Sequence, residues 1–184
     1  MTQEKIISGN EDEIWQQITA DFIKEDDLLE YRVVIEQQNR RILLDIDIDL
    51  GGGFEGGFES TMLRSQLKSI GDFRFAIHNE SFIDEVGKFF GMQDVVIGYP
   101  EFDKKVLIKA NDETKVRPLF SETSIREVFQ SLDDFTFGII MHHFDGKEKS
   151  PCLELYINSA IADAVLLRKI YSAFFKVLIL IDPH

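Results

Sequence analysis

The segment Leu44-Asp45-Ile46-Asp47-Ile48-Asp49-Leu50 alternates apolar and acidic side chains without a break. A period of two belongs to a β-strand and not to a helix. Four aliphatic chains are therefore expected on a buried sheet face and three aspartates on the other. The residues before it, 29–36, are rich in Val and Ile, and Gln37-Gln38-Asn39-Arg40 supplies a polar turn into 41–50. The two runs read as a β-hairpin.

The rest of the chain alternates between strand and helix signals. Asn10 and Glu13 have capping-box spacing, and Ile14, Ile18 and Phe22 recur every four residues, which predicts an amphipathic helix over 11–26. A glycine-rich link over 51–57 leads to a strand at 58–66, and another strand covers 73–78. Ser81 is placed to cap a helix over 82–90 that stops at Gly91. Residues 95–97 and a Gly98-Tyr99-Pro100 turn feed a strand at 104–110, then helices over 112–119 and 122–132. Ser124 with Glu127 repeats the capping-box spacing, so the second of these has a late start as an alternative. Residues 135–143 and the return through Leu153, Leu155 and Ile157 form a second hairpin about the turn 145–149, and a closing helix spans 160–180. The expected class is α+β: antiparallel sheet of about 6–8 strands packed with about four to five helices, a helix at both termini. At 184 residues the chain is expected to be a single domain over 1–184, with 1–92 and 93–184 as candidate sub-halves.

Charge narrows the partners. The formal net charge is −13, with 19 acids and 9 bases in residues 1–92 against 14 and 11 in 93–184. No basic run exceeds a pair (Arg40-Arg41, Lys104-Lys105, Arg168-Lys169), so no nucleic-acid partner is expected. The acidic first half suits a basic protein partner, with Asp45, Asp47 and Asp49 as its contact. Residues 160–181 have membrane length, but Asp163, Arg168, Lys169 and Lys176 interrupt them, so a buried helix is expected and no membrane association. The opening Met-Thr-Gln-Glu-Lys leads into acids rather than an apolar signal core, and one cysteine, Cys152, cannot form an internal disulfide. A cytoplasmic location is the reading.

Several motifs resemble the beginnings of chemical sites. Gly51, Gly53 and Gly56 satisfy G-x-G-x-x-G, but the residues after them read as a strand rather than a phosphate-binding helix start, and Glu55 and Glu59 would repel phosphate. Asp45, Asp47 and Asp49 match the start of a calcium loop and are the metal candidates of this chain. Positions six and twelve hold Leu50 and Gly56 where glycine and glutamate are needed, and same-face residues of a strand stand about 7 Å apart. His78-Asn79-Glu80 with Pro151-Cys152 echoes the zinc deaminases, yet the second thiolate is missing. The candidate reaction centre is Cys152 with His142 or His78: a hairpin centred near Lys147 sets His142 opposite Cys152, where a thiolate–imidazolium pair would serve as a nucleophile. No cofactor is expected.

The segment 91–105, which contains Gly98-Tyr99-Pro100-Glu101-Phe102-Asp103-Lys104-Lys105, with Phe73-Arg74-Phe75-Ala76-Ile77-His78 before it and Lys109-Ala110-Asn111-Asp112-Glu113 after it, resembles an uncharacterised bacterial protein family. In that family a G-x-P-E-F-D-K-K segment feeds a strand ending in Lys-x-Asn-Asp-Glu. The resemblance covers about residues 54–180 and implies no activity. Asp103 is expected to accept backbone N–H groups in the turn or to pair with a lysine. If this region holds a ligand, Arg74, His78 and Asp103 are the candidates. The leading functional expectation is a non-enzymatic interaction or ligand-binding module; the alternative is the Cys-His enzyme. A homodimer through the apolar last helix (Tyr171, Phe174, Phe175, Leu178, Ile179, Ile181) is also expected.

Overall fold

The computed structural model describes residues 5–24, 29–51, 56–68, 70–79, 91–144 and 149–183. In chain order these form β1 (Lys5–Ser8), α1 (Glu11–Lys24), β2 (Glu30–Gln37), β3 (Arg40–Asp49), β4 (Phe58–Gln66), β5 (Phe75–Asn79), β6 (Gln93–Asp94), α2 (Pro100–Lys105), β7 (Val106–Ala110), α3 (Glu113–Leu119), α4 (Thr123–Ser131), β8 (Phe135–His143), β9 (Lys149–Ile157) and α5 (Ala164–Ile181). The expected 82–90 helix lies outside the described residues.

The nine strands make one mixed sheet in the order β1-β2-β3-β4-β9-β8-β5-β7-β6. Nine strands slightly exceed the expected 6–8, and the two that the sequence did not place are the sheet's edges: β1, which precedes the first helix and runs parallel to β2, and the two-residue β6. Both are too short for hydrophobic period to reveal them. Strands from before and after residue 92 interleave, β4 against β9 and β5 between β8 and β7.

Local chemistry accounts for the element ends. Asn10 Oδ1 accepts the Glu13 N–H at 3.0 Å while Glu13 Oε2 accepts the Asn10 N–H at 2.9 Å, a reciprocal capping box. The β2–β3 hairpin turns on Gln38 and Asn39, both at positive φ (47° and 61°), the two-residue type I′ geometry that matches strand twist. Ser124 does not begin α4; Glu122 is its N-cap, and the Ser124 hydroxyl donates to the Glu122 carboxylate instead.

Alternation sorts the sheet into two faces. Ile42, Leu44 and Ile46 of β3 join Val33, Ile35, Leu63, Leu155, Phe137 and Ile77 in one cluster with the buried residues of the helices. Phenylalanine is its framework. Phe75, Phe120, Phe129, Phe137 and Phe174 follow one another at ring separations of 4.7–6.2 Å. Offset and edge-on contacts of this kind add about 0.5–1.5 kcal/mol per pair beyond burial. The aromatic residues of α5 (Tyr171, Phe174, Phe175) lie in this core. The apolar surplus on which the homodimer expectation rested is thus largely used inside the chain.

Candidate functional site

The opposite sheet face carries Asp45, Asp47, Arg64, Cys152, Glu154, His142 and His78. Here the hairpin register corrects the Cys-His expectation. His142 stands opposite Ser150, and Cys152 opposite Ile140, because the connection between β8 and β9 centres on residue 146 rather than 147. His142 Nε2 lies 2.8 Å from Glu154 Oε2, and the same carboxylate receives Arg64 Nε at 2.5 Å. The imidazole therefore lies beside a carboxylate and not beside the thiol. Cys152 is fully buried, and burial pushes its thiol up to about 11, so it stays protonated at neutral pH. His78 shares its rung with Thr136 and Leu107, and Thr136 in turn faces Tyr156. It lies two strands and two same-face rungs from Cys152, about 16 Å by sheet spacing. One ion cannot bridge that gap, and no cluster of three His, Cys, Asp or Glu able to hold a metal occurs among the described residues.

Asp103 is occupied by its own chain. Its carboxylate accepts the N–H groups of Ile97 (3.0 Å), Gly98 (2.9 Å) and Tyr99 (2.8 Å), closing the loop that enters α2. Gly98 sits at φ +91°, a conformation that disfavours any side chain. Phe102 drops into the core beside Phe120, and the Arg126 guanidinium lies 3.6 Å over the Tyr99 ring. Arg74 is likewise engaged: its N–H donates to Asn111 Oδ1 and its guanidinium to the carbonyls of Gly71 and Phe73. Asn111 closes the circuit by donating to the Asp72 carbonyl, and Asp112 caps α3. Asp103, Asn111 and Asp112 thus act as backbone clasps. The three proposed ligand residues have separate local partners, His78 using Nδ1 toward the Asn79 carbonyl.

Of the three aspartates on β3, Asp45 faces Arg32 at 3.5 Å and Asp49 accepts the Gly51 N–H. Asp47 stands opposite Glu30 and Ser60.

A different feature is concave. α4 buries Ile125 and Phe129, and α5 buries Leu167, Ile170, Tyr171 and Phe174, which turns the remaining stripe of each helix toward solvent along their seam. The helices run in opposite directions: Lys176, late in α5, reaches Ser124 Oγ (3.3 Å) and the Glu122 carboxylate at the start of α4. Between them lies a cleft of about 650 Å³. Val128, Val165, Leu166 and Ala173 give it an apolar surface, and Ser124, Ser131 and Ser172 keep it shallow-walled. Arg168, Lys169 and Lys176 also line it. Arg168 is held by Glu11 (3.2 Å) and Asp12 on α1, whereas Lys169 makes no ion pair with any described residue. In the sequence these cations served to exclude a membrane span and, as the pair Arg168-Lys169, a long basic run. Their signal was the helix itself: α5 carries three bases and no acid in a chain of net charge −13.

No helix is long and apolar enough to cross a membrane among the described residues. Comparison with protein-family models, with curated proteins and with solved structures gave no match to this chain.

Proposed function

We propose that this protein is a non-enzymatic interaction module, acting in the cytoplasm, whose working surface is the α4–α5 cleft. The cleft itself is the observation that carries the reading: an apolar trough with a cationic rim between two helices whose other faces are committed to the core. Pockets of several hundred Å³ lined mainly by apolar groups with a few placed charges are where proteins hold other molecules. The buried, protonated Cys152 and a hairpin register that sets His142 opposite Ser150 support a binding role over nucleophilic chemistry.

The test uses a cross-linked helical peptide of about 14 residues with a leucine stripe and glutamine elsewhere. It is expected to bind saturably by fluorescence anisotropy, and Ser172→Trp, which fills the cleft, is expected to weaken it about tenfold. Val165 is 68% exposed, so Val165→Asp should leave the fold intact and weaken binding as well. The absence of saturable binding, or binding indifferent to both substitutions, would contradict the reading.

A further inference from the structure

We propose that the occupant of this cleft is an acidic amphipathic helix of a partner protein; the inference rests on the reading of the cleft as a docking surface and adds the chemistry of what docks. Shape argues for a helix. The cleft-lining residues of α5 run from Val165 to Lys176, eleven steps along the helix and so about 16 Å, or roughly three turns. Its walls are helix surfaces, whose backbone N–H and C=O groups are already paired within each helix. An extended peptide laid there would find no ladder for its own backbone, whereas a helix brings its hydrogen bonds with it. Ala173, Ser172 and Ser131 are small enough for a third helix axis to approach at the usual 8–10 Å.

Charge argues for acid. Arg168, Lys169 and Lys176 lie at i, i+1 and i+8 on α5, at two levels of the cleft two turns apart, with Glu127 as the carboxylate lining the opposite wall. Lys169 is available at once. Arg168 is now held by Asp12, exposed at 86%, and by Glu11, exposed at 34%, and Lys176 by Glu122, exposed at 51%, so a partner's carboxylates compete for both cations in solvent-accessible pairs. The rest of the chain, at net −13, repels a diffusely acidic molecule. The surface therefore selects a helix whose apolar stripe fills the trough and whose acids fall at the rim, within reach of these three cations at physiological screening of about 8 Å.

Three cross-linked peptides that share the leucine stripe and carry Glu, Gln or Lys at the flanking positions separate the two claims. At about 50 mM salt the Glu peptide is expected to bind about tenfold tighter than the Gln peptide and the Lys peptide weakest, a gap in keeping with two or three exposed ion pairs. The gap should shrink toward about 0.5 M salt. Lys169→Glu, an exposed substitution that leaves packing alone, should reduce the Glu peptide's advantage, and Lys169→Glu with Lys176→Glu should reverse the ranking. Equal binding of the Glu and Gln peptides, both abolished by Ser172→Trp, would overturn the acidic occupant while leaving the docking surface standing. Preference for the Lys peptide would do the same. If none of the three binds, both fall.

Discussion

Asp103→Ala should unlatch the loop before α2. The carboxylate accepts three backbone N–H groups at 2.8–3.0 Å; those of Ile97 and Tyr99 are part-buried, that of Gly98 exposed. Hydrogen bonds to a charged acceptor contribute about 1.5–3 kcal/mol when the donor has no other partner, and much less when water can take over. Counting the two part-buried bonds at about 1–2 kcal/mol each and the exposed Gly98 bond at a small fraction gives a loss of about 2–4 kcal/mol. Asp103→Asn keeps one carbonyl oxygen and should lose roughly half as much. For a chain of this size that corresponds to a fall in Tm of about 4–16 °C for the alanine variant. Urea unfolding followed by tryptophan fluorescence gives the free energy, and hydrogen exchange at the amides of residues 97, 98 and 99 gives the local effect. A loss below about 0.5 kcal/mol, or exchange at those three amides unchanged, would refute the clasp and free Asp103 to serve as a ligand group.

Two further outcomes rest on buried groups. Arg40 and Asp182 form an ion pair at 2.8 Å, exposed by 5% and 2%, with the same carboxylate accepting the Lys68 N–H at 3.0 Å. Asp182→Ala leaves the guanidinium charge buried with only the carbonyl of residue 182 as acceptor among the described residues and should cost about 3 kcal/mol in urea unfolding, while Arg40→Met with Asp182→Leu should recover most of it; a cost under about 1 kcal/mol for the single variant would refute the anchoring role. Cys152 should react with a disulfide reagent at pH 8 at least about 100-fold more slowly than in the unfolded chain, since its thiol titrates near 11 rather than 9. The folded protein keeps a proton that the unfolded chain releases from pH 9 upward, so this contribution is whole below pH 9 and is lost as pH rises through 11, by about 2–3 kcal/mol. Rapid labelling at pH 8, or stability flat between pH 9 and 11, would contradict it.

Legibility from residues alone tracks periodicity. The alternation of β3, the Asn10–Glu13 box and the Phe135–His143 strand were all legible because a few local contacts decide them. β1 was not, since four residues give no period and its pairing with Val33–Glu36 is set from a distance. The helix Pro100–Lys105 was hidden for a related reason: it exists because Asp103 gathers the preceding amides, and its lysines look like the start of the next strand. At the candidate site, residue types drew attention to Cys152 and the histidines, while a two-residue offset in hairpin register decided what they touch. The cleft needed the packing angle of α4 on α5, which no short-range pattern encodes. Its one sequence trace was the run of unbalanced positive charge on α5.

The most direct measurement is amide chemical-shift mapping of the whole chain during titration with the Glu-flanked peptide. Perturbations are expected over residues 123–131 and 164–176, with the sheet face that carries His142 and Glu154 silent. Shifts gathered instead around His142, Cys152 and Glu154, or along Asp45, Asp47 and Asp49, would place binding on the other side of the molecule and contradict a docking role for the α4–α5 cleft.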